Sequence, residues 1–304
     1  MNVTFRTLSI AVASLLSGAL AQGQNLFEAQ WFPTGNGSNG GAIVEFTPNG
    51  GSSTFASGLN QPWGLAFNSA GSLFETDTSG NIYEFTSNGT RSTFASGLTV
   101  NGGLAFNSAG NLFVAADFSI LEFTPNGGSS TFASEVPGVP AFNPGALAFD
   151  SSGDLFVADY GRGYIYKFTP SGAASIFASG LSIPGGLAFN SAGDLFESDY
   201  SGAIYEFTTN GTRSTFASGM GGSAGSYVEP AGLAFNTAGN LFEADLDSHI
   251  YEYTPNGGSS TFASGLGRPY ALAFQPVPEP CTWALVGLGA VALLGVCRSR
   301  IESR

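Results

Sequence analysis

Four short runs recur six times along this chain, and that repetition restricts its fold more than anything else. LAF begins at Leu65, Leu104, Leu147, Leu187, Leu233 and Leu272. LFE or LFV begins at Leu26, Leu73, Leu112, Leu155, Leu195 and Leu241. Runs of the IYEF type start at Ile43, Ile82, Ile120, Ile165, Ile204 and Ile250. STFAS or SIFAS centres on Phe55, Phe94, Phe132, Phe177, Phe216 and Phe262. A unit this short cannot bury its own faces, so copies must stack on one another.

Each run is aromatic or β-branched and is bounded by Gly, Asn, Pro or Ser, the pattern of a short strand. TPNGG and TSNGT carry the Asn-Gly pair that accepts positive φ in tight hairpins. Four hairpin-linked strands per unit of about 41 residues describe a propeller blade, whereas a parallel β-helix uses shorter coils without hairpins. With the strands lettered a (LAF), b (LFE), c (IYEF) and d (STFAS), the chain opens on b at Leu26 and ends on a at 271–275. The last strand therefore supplies what the first unit lacks, closing an all-β, six-bladed propeller of four-stranded antiparallel blades and removing the exposed edge. The expected organisation is a secretory signal at 1–21, the propeller at 22–276 and a sorting or anchoring segment at 277–304. The 27 phenylalanines recur at fixed strand positions and are expected to fill the seams between blades.

Charge and cysteine usage restrict function. Residues 22–275 hold 20 acidic and 5 basic side chains, which repels phosphate backbones and excludes nucleic acid as a partner. Both cysteines, Cys281 and Cys297, lie in the tail, so no disulfide holds the domain. The N-terminus combines Arg6, an apolar stretch from Leu8 to Leu20 and small residues ending at Ala21, the form of a cleaved export signal. At the other end, Pro278, Glu279 and Pro280 break regular structure. An apolar run over 282–297 follows, just short of the usual spanning length, and is read as a transmembrane helix. Arg298, Arg300 and Arg304 close it on the cytoplasmic side.

Two resemblances follow from these residues. The unit GLAFNSAGNLF…D…IYEFTPNG resembles the NHL repeats of six-bladed propellers over about 26–275. The tail resembles a PEP-CTERM sorting signal, with Cys281 where Ser or Thr more often follows the motif. That resemblance implies handling by an exosortase-type membrane peptidase. It also implies passage through an inner-membrane-anchored intermediate to the envelope, surface or matrix of a Gram-negative bacterium.

The repeats can be compared with one another. The a–b and c–d turns keep constant lengths, whereas the b–c and d–a loops, which share the opposite rim, carry insertions at 30–42, 135–145 and 219–231. Variable loops on a rigid scaffold are where binding concentrates. Trp31, Phe32, Trp63, Phe142, Tyr227 and Tyr270 fall on that rim and form the expected ligand surface, with carbohydrate or protein as the ligand. Strand b ends on Asp77, Asp159, Asp199 or Asp245, a residue type that caps turns by accepting backbone N–H bonds. Asp245, Asp247 and the only histidine, His249, alternate and form the candidate site for a divalent cation such as Ca²⁺; a tight turn there would scatter them. Symmetric b–c turns would set Glu75 opposite Glu84, Glu197 opposite Glu206 and Glu243 opposite Glu252, like charges that destabilise a sheet unless solvated, shifted in register or bridged by cations.

Propellers of the gluconolactonase type resemble this chain in architecture and carry a divalent metal on carboxylates and an Asn beside the innermost strands. The residues before each LAF here are Gly or Ala, and the chain offers no Ser-His-Asp or Cys-His set. The expectation is thus a surface or matrix module that binds rather than catalyses, with no obligatory cofactor. A metal-dependent hydrolase is the alternative.

Overall fold

The computed structural model describes residues 23–33, 39–134, 136, 142–219 and 230–277. The expected export signal at 1–21, the Pro278–Pro280 motif, the expected transmembrane segment and Tyr227 lie outside these residues. No helix occurs among the described residues, and none is long and apolar enough to cross a membrane.

Twenty-four strands form six four-stranded antiparallel sheets. Blade 1 combines β1 (Leu26–Pro33), β2 (Asn39–Phe46) and β3 (Ser52–Leu59) with β24 (Arg268–Phe274) as its innermost strand. Blades 2 to 6 span 62–95, 100–133, 144–178, 184–218 and 230–264, each in sequence order a-b-c-d. β24 pairs antiparallel with β1 from Leu26↔Phe274 to Trp31↔Arg268. The strand missing from the start of the chain is supplied by its end, as the repeat count requires.

Strand b is buried along its length, whereas strand d exposes its Ser and Thr residues. One aromatic motif repeats at every seam. The Phe of strand b meets edge-on both the Phe of its own strand d and the Phe of the next blade's strand a. Phe27 does so with Phe55 and Phe67 at 5.0 and 5.1 Å. Phe196 repeats it with Phe216 and Phe235, at 5.0 Å in both contacts. Such pairs contribute about 0.5–1.5 kcal/mol each beyond area burial, so the Phe periodicity serves as blade-to-blade adhesive. Inner strands approach so closely that side chains are excluded: a Cβ on Gly186 would lie 2.5 Å from the Ala231 carbonyl oxygen.

The b–c register differs from the symmetric expectation. Glu75 faces Tyr83, Glu197 faces Tyr205 and Glu243 faces Tyr251, while Glu84, Glu206 and Glu252 face Phe74, Phe196 and Phe242. In blades 2, 5 and 6 a three-residue turn shifts the pairing by one. Its last residue, Gly80, Gly202 or Ser248, has φ of 78°, 77° or 84°. No glutamate pair is opposed.

That shift has an electrostatic consequence. Glu28, Glu75, Glu197 and Glu243 are buried at 0–1% exposure. Alternation along strand b puts them on the face of Leu26, Leu73, Leu195 and Leu241, which packs on the preceding blade. Four contiguous blades, 5, 6, 1 and 2, therefore carry a carboxyl in their seam. Blades 3 and 4 have the fully buried Val114 and Val157 instead. The carboxyls of Glu28, Glu75 and Glu197 have no hydrogen-bond partner; Glu243 accepts one from the Tyr253 hydroxyl at 3.0 Å. Burial drives all four well above the usual carboxylate range, Glu243 to about 8.

Candidate functional site

The six inner strands converge on the propeller axis around a cavity of about 350 Å³. Its wall is mostly Gly, Ala and Leu from the strands a, because only small inner residues let six strands meet. At its mouth the wall changes. The side chains of Trp63, Asn143, Tyr160, Tyr200 and Tyr270 line it there, beside Pro144 and Pro184, with the Trp63 indole nitrogen itself buried. These residues start strand a or follow strand b, so the mouth opens on the rim with variable loops.

Backbone clamps hold the mouth. In blade 5, Tyr200 N–H donates to the Ser182 carbonyl at 2.9 Å, and Ser182 N–H donates to Asp199 Oδ2 at 2.7 Å. Between these bonds and Pro184, Ile183 is held at φ 55°, which for a β-branched residue is an outlier of the kind that gathers at functional sites. Blade 4 repeats the clamp through Tyr160 N–H to the Asn143 carbonyl at 3.2 Å. The strand-b aspartates serve the same turns: Asp159 Oδ1 accepts from Gly161 N–H at 3.0 Å and Asp199 Oδ1 from Ser201 N–H at 2.8 Å. Burial raises the Asp159 carboxyl above its ordinary value, although backbone hydrogen bonds and the Arg162 guanidinium partly offset this.

Of the aromatic residues expected to bind ligand, the structure unites three. Trp31 stacks on Tyr270 at 4.8 Å, and Trp63 meets both edge-on at 5.2 and 4.6 Å. Trp63 and Tyr270 reach the cavity; Trp31 is not in its wall and donates its indole N–H to the Pro62 carbonyl at 2.8 Å. Phe142 is corrected: at 1% exposure it lies in the blade 3–blade 4 core, packed on Tyr166 and Phe168, where its ring is unavailable to ligand. The side chain of Phe32 lies outside the described residues. The insertion at 30–42 extends the β1–β2 ladder as far as Pro33↔Asn39.

The candidate cation set does not converge. The turn after Asp245 consumes Asp245 Oδ1 on the Asp247 N–H at 3.0 Å, while Asp247 Oδ1 pairs with His249 Nδ1 at 2.8 Å. His249 stacks on Tyr251. Among the described residues no three His, Cys, Asp or Glu side chains are grouped to hold a metal.

The mouth residues Asn143, Tyr160, Ile183 and Tyr200 were absent from the sequence expectations. A signal for the tyrosines was present, since Asp159-Tyr160 and Asp199-Tyr200 place an aromatic directly after the strand-b aspartate.

No family model and no curated protein matches the chain. Solved structures do. It is similar to a gluconolactonase from Xanthomonas campestris at 17% identity and TM-score 0.61, over 69% of this chain and 78% of that one. A catalytically inactive virginiamycin B lyase from Staphylococcus aureus matches at 16% and 0.58, over 79% and 92%. The calcium-binding protein regucalcin from Agrobacterium tumefaciens matches at 16% and 0.61, over 72% and 79%.

The likeness is one of fold. It nevertheless corrects the expectation of a module without catalysis, because this architecture bears a lactonase and a lyase among its solved examples. Gly or Ala before LAF removes one kind of metal site and does not remove catalysis from the fold.

Proposed function

We propose that this chain is a propeller enzyme of the hydrolase class, opening an ester- or lactone-type bond in a small molecule seated in the axial cavity. The observation that carries the reading is the convergence of Trp63, Asn143, Tyr160, Tyr200 and Tyr270 around a substrate-sized space at the clamped mouth. A pocket of a few hundred Å³ with a few polar groups on an apolar wall is the usual form of a small-molecule site. The lactonase among similar structures supports the reaction class.

The metal-dependent form of this chemistry does not fit. Among the described residues that line the cavity there is no Asp, Glu or His, so they form no ligand set with an open position. The polar side chains described there are neutral. An amide N–H of Asn143 and the hydroxyls of Tyr160, Tyr200 or Tyr270 can donate to an acyl oxygen as negative charge grows on it. Water adds its oxygen to the acyl carbon, the acyl–oxygen bond breaks, and a proton passes to the leaving oxygen. Asp159 and Asp199 act as positioning residues by fixing the turns that carry Tyr160 and Tyr200.

The test is turnover of a panel of aryl esters and lactones by the full-length chain, with and without EDTA. Hydrolysis that survives EDTA and falls roughly a hundred- to a thousandfold in Asn143→Ala or Tyr200→Phe is expected. No turnover, or turnover wholly dependent on added divalent metal, would overturn the reading.

Residues 1–21 and 277–304 support a location outside the cytoplasm. The protein is exported, held by its tail, processed by an exosortase-type peptidase and delivered to the envelope, surface or matrix.

A further inference from the structure

Blade order determines which residues face each other across the axis. In a closed ring of six, blade 1 stands opposite blade 4 and blade 2 opposite blade 5. Tyr270 belongs to the inner strand of blade 1 and Tyr160 follows strand b of blade 4, so they flank the cavity from opposite sides. Trp63 of blade 2 and Tyr200 of blade 5 form the second opposed pair. Among the described residues, blades 3 and 6 contribute only Gly, Ala and Leu to the wall. The six-fold repeat is thus broken into a two-sided aromatic arrangement around a single space.

Two features restrict what can sit between these rings. Among the described residues no charged side chain lines the cavity, so an ionised ligand would lose its hydration without a counter-charge from them. The wall outside the aromatic mouth is aliphatic side chain and glycine backbone. Aromatic residues on two sides of the cavity suit a ring ligand, which they hold by offset or edge contact.

We infer that the axial cavity selects an uncharged, aromatic ring compound over ionic ligands. This rests on the reading of the cavity as the substrate site and names the class of substrate it accepts. The ring lies between the Tyr270–Trp63 side and the Tyr160–Tyr200 side, and its polar atoms meet the donors at the mouth.

The experiment uses the full-length chain and fluorescent probes that share one ring system. N-phenyl-1-naphthylamine is neutral, and 1-anilinonaphthalene-8-sulfonate adds a sulfonate. The neutral probe is expected to bind at least about tenfold more tightly, and Tyr160→Ala and Tyr200→Ala each to weaken it about fivefold or more. Tyr160 is half exposed (49%), so its truncation leaves the fold intact, which a melting curve verifies. Equal binding of both probes, affinity unchanged in both variants, or stronger competition by benzyltrimethylammonium than by neutral naphthalene would overturn the inference. Ring binding without ester or lactone turnover would overturn the proposed reaction alone. Turnover of gluconolactone without ring binding would overturn the ligand class alone.

Discussion

Replacing Glu243 by Gln is expected to remove the pH dependence of stability that this group imposes on one seam. In the fold its carboxyl sits at about 8 because burial and the nearby Asp245 disfavour the charged form, against about 4.3 for an unfolded glutamate. The folded state therefore holds a proton that the unfolded state releases. Stability from this group is fully present below about pH 4, falls as pH rises toward 8, and is constant beyond. At pH 7 the gap of nearly three units amounts to about 4 kcal/mol of destabilisation. Gln keeps an acceptor for the Tyr253 hydroxyl, 3.0 Å away in the wild type, but buries an amide N–H₂ without a partner, costing roughly 1–3 kcal/mol. The variant should thus gain about 2 kcal/mol at pH 7, a rise of roughly 4–8 °C in melting temperature for a domain of this size. At pH 4, where the native carboxyl is already neutral, it should melt slightly below wild type. Thermal unfolding at pH 4, 6 and 8 reads out this crossover. Wild-type and variant curves running parallel, or wild-type stability increasing from pH 4 to 8, would refute the reasoning.

Other perturbations address closure, packing and processing. Truncation after Gly267 removes β24 and opens blade 1, exposing Leu26 and Phe27; loss of several kcal/mol and self-association, measured by denaturation and sedimentation, are expected. Gly232→Ala places a methyl 2.9 Å from Ala271 Cα and should cost about 1–3 kcal/mol by overpacking, with no change in the pH slope. Intact mass of protein released at the cell surface should end near Pro278–Pro280 and lack Trp283; a mass including Arg304 would show a retained anchor.

The repeat pattern was legible because it reports on burial. LAF, LFE, IYEF and STFAS mark strands whose apolar positions face the seams, and the offset between the first and last units reveals closure. Register was harder to read. The turns at Gly80 and Gly202 hold three residues, with one glycine at positive φ, and a symmetric guess misplaces Glu75 and Glu197 by one residue. The site was only half legible for the same reason. Trp63 and Tyr270 precede LAF and were found from that position, whereas Tyr160 and Tyr200, marked only by following the strand-b aspartate, are brought to the cavity by clamps to the d–a loops. Phe142 shows the converse, since an aromatic in a rim insertion folded back into the core between Tyr166 and Phe168.

The most direct test of the central claim is a crystal structure of the protein with a slowly hydrolysed neutral aryl ester, collected so that bound metals give an anomalous signal. The account predicts ligand density on the propeller axis, bounded by Trp63, Tyr160, Tyr200 and Tyr270, with an acyl oxygen within hydrogen-bond reach of Asn143 or a tyrosine hydroxyl and no anomalous peak beside it. Ligand density away from the axis, or a metal peak in the cavity bound to the acyl oxygen, would contradict it.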